Sequence, residues 1–150
     1  TPHEPLDGAE RILIVVGAHL SAERHDRPLA YTLRERMLEL FAQRPSGHES
    51  DHVIPEVLVC CDLWYLNDES LKHSPAISIG GPGVNALSAY LASRLPSAFV
   101  IDDLLMVQFD AEMHTPLACC WGTTPEATAR AVDIFLDKYG DGFVKSMWGA

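Results

Sequence analysis

Residues 76–85 read Ala-Ile-Ser-Ile-Gly-Gly-Pro-Gly-Val-Asn, a short apolar run that passes straight into a glycine turn. Pro75 precedes it, and Val84, Leu87, Leu91 and Leu95 follow on one helical stripe until Pro96 stops it. Strand, glycine turn and helix in that order form the repeating unit of an α/β sheet. The same order occurs upstream. Ile12-Leu13-Ile14-Val15-Val16 lacks polar alternation, as expected of a strand covered on both faces, and Gly17 ends it. After a loop from Gly17 to Arg27, Pro28 opens a helix that carries Leu29, Leu33, Met37 and Leu40 on one side.

Working outward, Pro45–His52 is a polar connector, and a second strand is expected over Glu56–Cys61. Leu63-Trp64-Tyr65-Leu66 either extends that strand or forms an aromatic loop, and Asn67–Lys72 reads as a short helix capped by Asn67. Beyond Ser97, strands are expected over Ala98–Ile101, Leu104–Phe109 and Leu117–Trp121, with an antiparallel hairpin through Asp110, Glu112 and His114. Thr124 and Pro125 start a further helix with an apolar face of Val132, Phe135, Leu136 and Tyr139, and Gly140 and Gly142 provide its stop. Phe143, Val144, Met147 and Trp148 then read as a tail folded over the sheet, with a homodimer contact as the second reading. The fold predicted over residues 11–150 is a single-domain, three-layer α/β sandwich. Its central sheet is mixed, mainly parallel, with an antiparallel hairpin and three principal helices. Thr1–Glu10 is expected to be a flexible tail.

The bulk properties narrow the function classes. A chain of 150 residues, 47% hydrophobic and 21% charged, has the balance of one folded domain. Its formal charge of −10, with no basic run, argues against nucleic acid as a partner. No apolar run reaches the roughly 18 residues of a membrane-spanning helix, so no membrane partner is expected. The two adjacent cysteine pairs, Cys60-Cys61 and Cys119-Cys120, lack the gap that lets thiolates converge on zinc. They read as reduced strand residues of a cytoplasmic protein, one of each pair pointing inward and one outward.

Ligands of open α/β sheets favour the loops beyond the carboxyl ends of the strands. That rule selects the Gly17–Arg27 loop, Asp62 and the Gly80–Asn85 turn. Within them, His19, Arg24, Arg27, Asp62, Gly80, Gly81, Gly83 and Asn85 are the candidate ligand-binding residues. The two arginines would supply positive charge to a small anionic or polar ligand, and the amides near Gly83 a fixed anion-binding surface. Asp62 would accept a hydrogen bond or act as a base, and its charge would oppose a phosphate set beside it. The turn has neither the Gly-x-Gly-x-x-Gly order of a dinucleotide fingerprint nor the ending of a phosphate-binding P-loop. A nucleophile-elbow motif is also missing, so no catalytic residue is assigned. No cofactor is called for and no metal site is predicted, although alternating Asp110, Glu112 and His114 on an extended chain would face one side, compatible with one metal.

The Ile79–Asn85 segment resembles the Gly-Gly-Pro-x-x-Asn turns of some archaeal surface-layer proteins, and a strand followed by Gly122 and a Thr- and Ala-rich helix is similar to a feature there. The likeness implies no activity. The leading functional expectation is a small-ligand-binding or protein-interaction domain. A hydrolase or transferase acting on an anionic metabolite is the alternative, and a flavodoxin-like redox protein, with Trp64 or Tyr65 against a flavin, is a third.

Overall fold

The computed structural model describes residues 11–43, 54–110, 112 and 115–147. Six strands form one sheet: β1 (Arg11–Val16), β2 (Glu56–Cys61), β3 (Ala76–Ile79), β4 (Ser97–Ile101), β5 (Leu105–Phe109) and β6 (Leu117–Gly122). Their order is β2-β1-β3-β6-β5-β4. The four strands β2, β1, β3 and β6 run parallel, and β5 and β4 complete an antiparallel meander. The mixed, mainly parallel sheet and the antiparallel hairpin are therefore as expected, and β4 joins the sheet as its edge. Asp103 turns the chain between β4 and β5 with φ 61, a left-handed conformation that Asp tolerates because its short side chain bonds locally.

Helices cover both faces. Alternation along β1 sends Ile12, Ile14 and Val16 to one side, where α1 (Arg27–Ala42) and α4 (Pro125–Met147) pack. Leu13 and Val15 face the other side, against the short helices α2 (Asp62–Asn67) and α3 (Ala86–Leu91). Two packed faces explain the uninterrupted apolar run of β1 and the full burial of β3. They also correct the cysteine reading: Cys119 and Cys120 do point to opposite faces, yet both are buried because neither face meets water. All four cysteines are unpaired, and burial pushes the Cys60 and Cys119 thiols up to about 11, which keeps them protonated and poor nucleophiles.

Several element boundaries differ from the sequence reading. The 63–66 segment is the helix α2, and the following turn is a 3₁₀ helix, Glu69–His73, capped by Asp68 rather than Asn67: the Asp68 carboxylate accepts the Ser70 amide. α3 is shorter than its apolar stripe, because the chain leaves it at Leu91 and the buried Gln108 of β5 donates to the carbonyls of Ala92 and Leu95. The largest correction concerns α4, which runs through Gly140 and Gly142 to Met147 instead of stopping. Phe135, Phe143 and Tyr139 surround Phe109, with ring centroids about 6 Å apart, and this contact outweighs the helix penalty of about 1 kcal/mol per glycine. Phe143, Val144 and Met147 are thus the buried face of a helix, not a tail. The expected Thr1–Glu10 tail, the Pro45–His52 connector, Trp148 and His114 lie outside the described residues.

A Cβ at Gly142 would lie 3.7 Å from Phe109 Cε2, ordinary packing distance. Gly142→Ala is accordingly expected to raise stability by about 0.5–1 kcal/mol, read as a higher urea midpoint with unchanged slope. A lowered midpoint would count against a continuous α4.

Candidate functional site

The connections from β1 and β3 leave the sheet in opposite directions, since β1 leads to β2 on one side and β3 toward β4 on the other. Such a switch point opens a crevice beyond the strand ends. Here the crevice is divided. Gly17 and the Val84 carbonyl approach so closely that a Cβ on Gly17 would overlap that oxygen, and the contact separates two cavities that share Val84 as a wall.

The larger cavity, about 380 Å³, is lined by His19, Asp62, Leu63, Gly83 and Asn85 among others. Its principal polar groups are already engaged. Asp62 Oδ1 accepts its neighbour's amide at Leu63 (2.7 Å), and Oδ2 accepts the Ala86 amide at the start of α3 (2.7 Å). Asn85 is 1% exposed and uses both ends of its side chain. Its Nδ2 donates to the carbonyls of Val15 (3.0 Å) and Ile79 (2.8 Å), tying the ends of β1 and β3 together. Its Oδ1 accepts the amides of Leu87 (2.9 Å) and Ser88 (3.3 Å), an N-cap for α3. The first amides of α3 thus have internal partners. Asp62 and Asn85 occupy the place where an anion was expected.

The smaller cavity, about 170 Å³, lies on the other side of Val84, at the ends of β3 and β6 and the beginning of α4. Gly80 and Gly81 belong to it. Gly80 has φ +106, and its carbonyl accepts the Ser88 hydroxyl at 2.5 Å. Ser88 in turn meets Ser78 Oγ at 2.7 Å and Cys119 Sγ at 3.2 Å, so the glycine turn is held from below by a buried polar cluster. Gly81 lies against the Trp121 ring, with a Cβ there 3.4 Å from Cε3.

Asp26 forms the floor on the α1 side. Residues 17–27 were expected to be a loop. Instead Ala22–Asp26 form a single π-helical turn that feeds directly into α1. The wider turn buries both Ala22 and Asp26 toward the sheet, and π turns of this kind recur at functional sites. Asp26 is 7% exposed, and its Oδ2 would be 2.7 Å from a Cβ on Gly80. Its carboxylate accepts no hydrogen bond among the described residues and does not cap α1, and its oxygens, open to the cavity, are not fully enclosed. Burial pushes its pKa up to about 6, opposed in part by His25.

The wall opposite Asp26 comes from β6 and α4. Gly122 packs so closely on α4 that a Cβ would overlap Ala127, bringing the helix start to the cavity. Thr124 Oγ1 accepts the Ala127 amide at 3.0 Å as the expected cap, and Thr128 Oγ1 accepts the Gly122 amide at 3.0 Å. Thr123, Thr124 and Thr128 line the cavity together with Ser21 and His25.

The structure therefore brings His19, Asp62, Gly83 and Asn85 to one cavity and Gly80 and Gly81 to the next. Arg24 is exposed and lines neither, and Arg27 Nε is bonded to Glu23 at 3.1 Å, away from both. Ser21, His25 and Asp26 belong to the Gly17–Arg27 segment selected from the sequence but were not among its named ligand-binding candidates, and the Thr123–Thr124 pair lies outside the selected segments. Tyr65 is buried in the core; Trp64 is exposed on α2, where its neighbour Leu63 rather than Trp64 lines the larger cavity. Asp110 Oδ1 accepts the Glu112 amide in a local turn, and no metal-binding cluster occurs among the described residues. No helix among them is long and apolar enough to cross a membrane. The chain matches no protein-family model, and no curated protein matches it in sequence.

Proposed function

We propose that the chain is a small-ligand-binding α/β domain whose ligand sits in the cavity between Asp26, the Gly80–Gly81 turn and the start of α4. The observation that carries this reading is the Asp26 carboxylate, buried at the switch point without a hydrogen-bond partner among the described residues. A lone buried carboxylate lowers stability, and such groups concentrate where a ligand supplies what the protein lacks. The surroundings agree. The Ser21 and Thr124 side chains line the same cavity of about 170 Å³, room for roughly five or six waters at about 30 Å³ each. The alternative of a hydrolase or transferase acting on an anionic metabolite draws less support, since Arg24 and Arg27 stand outside both cavities and Asp62 is bonded to backbone amides.

The test is an amide chemical-shift titration of the full chain with a panel of small polar probes: L-alanine, methylammonium, acetate, phosphate and glycerol. Saturable shifts are expected in at least two of the segments 21–26, 80–84 and 122–128 with at least one probe. Silence of all three segments toward every probe, or saturable binding confined to residues elsewhere, would overturn the proposal.

A further inference from the structure

Resting on that reading, the geometry points to a zwitterion as the ligand of the Asp26 cavity: a small molecule carrying an ammonium and a carboxylate a few bonds apart, the chemistry of a small α-amino acid. One wall carries a negative charge and the other a positive potential. Asp26 supplies the first, 7% exposed and without a hydrogen-bond acceptance among the described residues. The second comes from α4, 23 residues long, whose amino terminus bears the positive end of the helix dipole.

The donor inventory separates the two ends further. Thr124 Oγ1 spends an acceptor site on Ala127, which leaves its hydroxyl hydrogen to donate, and Ser21 makes no capping bond. Pro125 has no amide hydrogen to place at the helix start, the Thr123 and Thr128 hydroxyls donate to the carbonyls of Asp103 and Gly122, and the Ala127 and Thr128 amides are bonded to Thr124, so donation to a ligand there falls to the Thr124 hydroxyl. Glu126, in the first turn of α4, is exposed and does not line the cavity. The facing residues Gly80, Gly81, Gly122 and Thr123 carry no charge, and His25 at the cavity is the other ionisable lining residue.

A purely anionic ligand would satisfy α4 and oppose Asp26. A purely cationic one would satisfy Asp26 and oppose the helix terminus. A neutral polyol could donate hydrogen bonds to Asp26 but would bring no charge to either wall. Only a ligand with both charges satisfies both walls, and an alanine-sized molecule is commensurate with about 170 Å³. The larger cavity makes no comparable demand, because Asp62 and Asn85 are bonded within the protein.

The experiment uses the full chain at pH 7.5 and compares Kd values from the shift titration for L-alanine, methylammonium, acetate and glycerol. L-alanine is expected to bind at least tenfold more tightly than each single-function probe, with shifts both in 21–26 and in 122–128. Asp26→Asn, nearly isosteric and checked for an unchanged amide spectrum elsewhere, is expected to weaken L-alanine at least tenfold while leaving acetate unchanged or tighter. Equal binding by acetate, methylammonium or glycerol in these segments would overturn the zwitterion while leaving the ligand cavity standing. Retained L-alanine affinity in Asp26→Asn would do the same. Silence toward every probe would overturn the cavity itself.

Discussion

Asn85→Asp is expected to destabilise the protein by about 3–5 kcal/mol at pH 7, a large part of the roughly 5–15 kcal/mol available to a domain. The substitution keeps Oδ1, and with it the acceptor for the Leu87 and Ser88 amides. It replaces the Nδ2 donor with an oxygen that faces the carbonyls of Val15 and Ile79, now 3.0 and 2.8 Å from a nitrogen. Each buried acceptor left without a donor costs about 1–3 kcal/mol, and an ionised carboxylate beside two carbonyls adds repulsion. Asn85→Ser separates the contributions: serine caps a helix as well as asparagine, so its loss of about 2–3 kcal/mol would report the strand-tying bonds alone. Urea unfolding measures both. A cost below about 1 kcal/mol for Asn85→Asp would mean that the side chain does not hold β1 and β3 together.

Asp26→Asn should act in the opposite direction, raising stability by about 1–3 kcal/mol at pH 8. The folded-state pKa of about 6 lies above the ordinary aspartate value of 3.8, so the folded state holds the proton more tightly than the unfolded chain. Stability contributed by this group therefore falls as pH rises from the unfolded value through about 6, and is level above that. Below the unfolded value both states are protonated, and wild type and variant should unfold at nearly equal urea concentrations. A gain of the same size at pH 3.5 and pH 8, or a loss at pH 8, would show that the Asp26 charge is not what the fold tolerates at a cost. Paired with the expected loss of L-alanine binding, a stabilised variant would place Asp26 among residues kept for function at the expense of stability.

The strands were legible because their cause is local. Ile12–Val16 is an apolar run and Ala76–Ile79 one broken only by Ser78, each followed by glycine, and both faces of the sheet they enter are covered. Helix ends were less so. Gly140 and Gly142 carry a stop signal in sequence, and only the ring cluster around Phe109, which is distant in the chain, carries the helix past them. The location of the crevice followed from fold class, and the glycine turn was found at it. Its chemistry was not legible. Glu-Arg-His-Asp-Arg over 23–27 has the composition of a solvated segment, and nothing local marks Asp26 as the one turned inward by a π turn. Asn85 suggested a helix start, but its second pair of bonds exists only because β1 and β3 are neighbours, which pairing alone decides.

Strand order also has a consequence for a chain that emerges from its amino terminus. β3 is a central strand whose second neighbour, β6, begins at Leu117, about forty residues after Ala76. Until those residues are available, Ala76–Ile79 can pair only with β1, and its other edge presents open backbone groups on a strand that is apolar but for Ser78. The meander of β4, β5 and β6 has short-range contacts and closes quickly once made, whereas the second edge of β3 must wait for it. A polypeptide cut before Leu117 would keep β1, β2 and β3 with that edge bare, the geometry that recruits strands from other molecules.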